Sequence, residues 1–196
     1  MSKRAYDVTR SYFDMARAST DTSLVISADA AKDEKLTNNA NLAVVSSSWM
    51  YSHMAITAFV SAHLHDIWCW KNSPLKAEFP QHGTFEAMMK CEFRDLKSAL
   101  RKLAEILGIQ PLHVGAPKAW QHLCEFVQDH RDFFVHPTPS RFPEVMERVG
   151  RHHRGFPCDV AIEVIGYFYD KMGQDRPVWL GRQGNLNIPS INVVVI

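Results

Sequence analysis

Residues 42–64, LAVVSSSWMYSHMAITAFVSAHL, run for 23 positions without an Asp, Glu, Lys or Arg. A stretch of that length has two outcomes: it spans a bilayer, or it is a central helix covered on several sides. Its serines, its threonine, and His53 and His63 are costly in hydrocarbon, where each polar group needs an internal partner. The composition therefore predicts a buried central helix, and no membrane. From Asn39 the pattern extends to Ile67, with Leu42, Val45, Trp49, Ile56, Phe59, His63 and Ile67 near one face. At about 1.5 Å per residue, such a helix is roughly 40 Å long and sets the height of whatever packs on it.

Three further helices follow from periodicity and punctuation. Phe85, Met88, Met89, Phe93, Leu96, Leu100, Leu103 and Leu107 form a regular stripe. Thr84 is its cap, Gly108 its stop, and Lys90, Glu92, Arg94, Lys97, Arg101, Lys102 and Glu105 its solvated face. A third helix covers 116–136, with Pro117 in the first turn, where a missing amide costs nothing. A fourth covers about 159–172, with Val160, Val164, Ile165, Phe168 and Met172 inward and Gly173 as its stop. Prolines and glycines in 68–83 and 138–157 mark loops. The expected fold is all-α, an up-down four-helix bundle over 39–172. Residues 1–38 read as a polar extension holding a short helix at about 4–18 and then a loop. Residues 173–196 read as a short hairpin or extended tail.

A net charge of +1 excludes a blanket polycation, so any nucleic-acid contact has to come from a local patch. Cys69, Cys91, Cys124 and Cys158 form no C-x-x-C pair, and no apolar leader opens the chain. Together these predict reduced, mostly buried thiols in a cytoplasmic protein.

The third helix carries an anomaly. Trp120, Cys124, Val127, Arg131 and Phe134 follow at steps of four, three, four and three, which is one helix face. Arginine in an apolar stripe is unfavourable unless the face opens onto a cleft, a partner or an anion. Asp132 follows directly, and His136 ends the helix because Pro137 pushes it out of the α region. A guanidinium, a carboxylate and an imidazole at a helix end are the components of a site that handles phosphoesters.

The segment Arg131-Asp132-Phe133-Phe134-Val135-His136 resembles the R-x4-6-H motif, with a polar residue after the arginine, of the HEPN superfamily (higher eukaryotes and prokaryotes nucleotide-binding domains). Arg148…His153 fits the bare spacing, but Val149 follows that arginine and glycines flank it. The resemblance covers roughly 39–172 and implies a small helical bundle. It also implies a metal-independent endoribonuclease without a cofactor, of the kind found in toxin–antitoxin and defence systems. RNA would be attacked by its own 2′-hydroxyl to leave a 2′,3′-cyclic phosphate. His136 would shuttle the proton, Arg131 would stabilise the phosphorane, and Asp132 would orient one of them or contact a partner. Residues five apart on a helix point about 140° from each other, and the resemblance implies that a two-fold homodimer closes that gap. A cognate antitoxin is a further implied partner. The alternative within the resemblance is a non-catalytic bundle that binds RNA, a nucleotide or a protein.

Arg141, Arg148, Arg151, His152, His153 and Arg154 follow the motif and could track an RNA backbone. His63-x-His65-Asp66 lacks a second cluster to complete a metal site, so no metal is expected and His63 reads as a satisfied core or interface residue. Ser46-Ser47-Ser48 shows no base partner, and Trp68-Cys69-Trp70 reads as a loop anchor. No Walker loop and no G-x-G-x-x-G occurs, which argues against an NTPase or a dinucleotide enzyme.

Overall fold

The computed structural model describes the backbone of residues 3–28, 34–93, 95–136, 139–141, 143–145, 147 and 156–181. Side chains are described over the same span except at 3–6, 21–28, 34–45, 126, 130, 134 and 139. The described residues are helical and contain no strand. None of their helices is long and apolar enough to cross a membrane.

Two long helices and one shorter one make the centre. Helix α1 is Lys3–Ala28 and α2 is Glu34–Trp68. The two pack against each other. The sequence predicted only 4–18 as helix here, because the Thr, Ser and Val of 19–27 are weak helix formers. The helix nevertheless continues to Ala28. Thr9, Phe13 and Ala16 are fully buried at helical spacing, so the N-terminal segment contributes to the core. Along α2, Trp49, Ser52, Ile56, Phe59, Leu64 and Ile67 are buried. The closing helix, Phe156–Lys171, is buried at eleven positions and lies against α1 and α2. Trp49 meets Phe156 and Phe59 meets Phe168, each with ring centroids 5.8 Å apart, and Phe13 meets Trp179 at 5.5 Å.

The uncharged polar residues of α2 have a local explanation. Ser48 Oγ and Thr20 Oγ1 lie 2.9 Å apart, and both approach Cys158 Sγ, as does Ser52. Small hydroxyls let α1, α2 and the closing helix come close while pairing with one another. Burial pushes the Cys158 thiol up, against the hydroxyls that hydrogen-bond it. Cys124 is partly buried, but Cys69 and Cys91 are exposed, so the expected burial of the thiols holds for only part of the set.

The segment predicted as one helix from Thr84 to Leu107 is two. Helix α3 is Pro74–Glu78, α4 is Phe85–Glu92 and α5 is Leu96–Ile106. Thr84 caps α4 by accepting from the Ala87 amide at 3.2 Å. Asp95 adopts an extended backbone and caps α5, its Oδ1 accepting from the Ser98 amide at 2.7 Å. The apolar period runs through the break because Phe93 and Leu96 both stay on the inner side. Gly108 and Gly173 have φ of +64° and +65°, the left-handed conformation that stops a helix.

After α6, Leu112–Gly115, the motif-bearing helix comprises α7, Pro117–His122, a π-helical turn, Leu123–Gln128, and α8, Asp129–Val135. Pro117 occupies its first turn. The π turn closes i→i+5 hydrogen bonds and breaks the 3.6 period. The predicted face is accordingly uneven: Leu123 and Val127 are fully buried, whereas Trp120, Cys124 and Arg131 are only partly so. Helix α9 is the closing helix Phe156–Lys171, and a 3₁₀ turn at Val178–Leu180 follows it. The expected extended tail beyond Gly181 lies outside the described residues.

Candidate functional site

Three elements converge on one cleft of about 480 Å³. Helix α2 contributes His53, Thr57 and Ser61, one side of a helix at spacing four. The corner between α4 and α5 contributes an apolar wall, with Met89, Phe93, Leu96 and Ala99, and the capping Asp95. The end of the π turn and the start of α8 contribute Gln128, Arg131 and Asp132. The break at Asp95 is thus part of the site, because it turns the chain around the cleft.

Arg131 is the anomaly of the sequence resolved. Its side chain is 39% exposed and its Nη1 donates to Asp132 Oδ1 at 2.7 Å. One bond occupies part of a five-donor fork, so the rest can serve a ligand. The cleft, and not the core, receives the charge.

His53 faces the same cleft from α2. Burial, followed by the Arg131 guanidinium, pushes its imidazole down to about 4, while Asp132 acts in the opposite sense. It is therefore neutral at pH 7. Thr57 Oγ1 donates its only proton to the His53 carbonyl at 2.9 Å and lies 3.4 Å from His53 Nδ1. With that proton committed to the carbonyl, a hydrogen bond between Thr57 and the imidazole has Nδ1 donating, the tautomer in which Nε2 is an acceptor. Gln128 is half-buried, and its Oε1 is buried without a hydrogen-bond partner among the described residues.

Of the residues singled out in the sequence, Arg131 and Asp132 line this cleft and His136 does not. His136 is exposed at the end of α8, where its amide donates to the Asp132 carbonyl at 2.9 Å. Arg141 is held by Asp129, with its Nη2 2.9 Å from both carboxylate oxygens. Arg148, Arg151, His152, His153 and Arg154 lie outside the described residues. His53 and Gln128 escaped the sequence reading. Gln128 had a local signal, since it precedes Arg131 and Asp132 by three and four positions and so shares their side of an α-helix.

The weaker candidates resolve into structure. His63 is buried edge-on against Phe59 at 4.5 Å, its Nε2 has no hydrogen-bond partner among the described residues, and burial pushes its imidazole down to about 4. No group of three metal-ligating side chains occurs among the described residues. Trp68 is buried with the Lys76 ammonium 5.4 Å over its ring, and Trp70 is exposed. Compared with known protein families, with curated proteins and with solved structures, the chain matches none.

Proposed function

We propose that this protein is a metal-independent endoribonuclease of the HEPN type, acting as a two-fold dimer. The observation that carries the reading is Arg131, charged and half-exposed at a cleft, on the helix that ends at an exposed His136. A guanidinium with unused donors suits the equatorial oxygens of a phosphorane. The ribose 2′-hydroxyl gives up its proton to a histidine as its oxygen attacks phosphorus, and the P–O5′ bond breaks as a proton is returned to the 5′-oxygen. The products are a 2′,3′-cyclic phosphate and a 5′-hydroxyl. His136, exposed in one subunit, is the proton shuttle, and a second copy brings it opposite Arg131. An up-down four-helix core, a cytoplasmic setting, and a toxin or defence role with an antitoxin partner belong to the same proposal.

A second reading has its own support. His136 is not part of the cleft lining, and Asp132 already engages Arg131, an arrangement suited to holding a ligand without cleaving it. Labelled single-stranded RNA incubated in EDTA separates the two. The nuclease reading expects cyclic-phosphate ends from wild type and intact RNA with His136→Ala. Equal decay in both lanes overturns it, and binding without products favours the second reading.

A further inference from the structure

The cleft is supplied with acceptors beyond what the fold uses. Gln128 Oε1 is buried with no partner among the described residues, and His53 Nε2 is left as an acceptor by the tautomer that Thr57 selects. Two carboxylates, Asp95 and Asp132, face the same space, each already holding one donor. The one cation among the described lining residues is Arg131, with donors beyond its bond to Asp132. The opposite wall is apolar, formed by Phe93, Met89 and Leu96. An occupant that satisfies this lining has an anionic end for Arg131, a flat apolar body for that wall, and hydrogen-bond donors for Gln128 and His53. A volume of about 480 Å³ lies within the range of small-molecule sites and suits one nucleotide, not a strand.

We infer that the cleft is a selective single-nucleotide pocket in which Gln128, assisted by His53, reads an exocyclic amino group on the base. The phosphate lies at Arg131 and the base lies against Phe93. Adenine, guanine and cytosine carry the amino group, and uracil does not. An amino group has two hydrogens, one for each of Gln128 Oε1 and His53 Nε2, whereas uracil offers only N3–H there and leaves one acceptor unpaired, which is the stronger source of discrimination in polar sites. The neutral imidazole of His53 fits this role, since an imidazolium would offer donors where the base also brings donors. The inference rests on the RNA reading of the site, but it requires one subunit only and no cleavage.

Calorimetric titration of the full chain at pH 7 with AMP, GMP, CMP and UMP tests it. The three amino-bearing nucleotides should bind about threefold to tenfold more tightly than UMP. Gln128→Leu should erase that preference and Gln128→Glu should keep it. Arg131→Gln should weaken all four alike, which separates phosphate anchoring from base reading. Equal affinities for the four nucleotides, no binding of any, or a preference that survives Gln128→Leu overturns the inference. RNA cleavage without nucleotide preference refutes this pocket alone. Nucleotide preference without RNA cleavage refutes the nuclease alone.

Discussion

A half-buried and a buried histidine make the stability of this protein depend on pH. His53 and His63 are each pushed from the ordinary 6.5 down to about 4, in both cases chiefly by burial. For His63 the cause is visible in the packing: Nε2 has no acceptor among the described residues, and Phe59 covers the ring. Between pH 6.5 and 4 the unfolded chain binds a proton at each position and the folded chain does not. Stability is therefore complete above 6.5 and is lost as pH falls toward 4. The slope is about 1.4 kcal/mol per pH unit for each group, so a drop from pH 7 to 5 costs about 2 kcal/mol per histidine and about 4 kcal/mol together. Asp170 titrates outside this window, because Arg176 holds its carboxyl below the ordinary 3.8. Urea unfolding at pH 7 and pH 5, followed by circular dichroism, reads the difference directly. His63→Leu changes absolute stability through repacking, but it should halve the difference between the two pH values. The same difference in wild type and His63→Leu refutes the reasoning for His63, and equal stability of wild type at both pH values refutes it for both groups.

Two other substitutions test how the scaffold holds the cleft. Asp95→Ala removes the side-chain cap of α5 and should cost about 1 kcal/mol in thermal unfolding, with Asp95→Asn recovering most of the loss. Phe59→Ala empties a fully buried position between Phe168 and Tyr169, so chemical denaturation should show a loss of about 3–5 kcal/mol.

The parts of this molecule legible in its sequence are those set by local rules. Thr84, Pro117, Gly108 and Gly173 each act through their own backbone or their own first turn, and each ends or begins a helix where the residue type demands. The break at Asp95 was hidden because the apolar stripe keeps its period across it; only the Asp-x-x-Ser pair records the cap. Helix α1 beyond Ser19 was hidden for a different reason. Its residues disfavour a helix in isolation, so no local rule carries the helix on to Ala28. The site divides in the same way. Arg131 was conspicuous because a charge interrupts an apolar stripe, whereas His53 is separated from it by 78 positions, the difference between 131 and 53, and no local pattern joins them. What joins them is the break itself. Had α4 and α5 been one straight helix, the stripe from Phe85 to Leu107 would have lain unbroken along the core. Asp95 turns the chain instead, and the space opened there is bounded by α2 on one side and by Arg131 on the other. The arginine that the stripe could not have buried is accommodated by a turn more than thirty residues earlier in the chain.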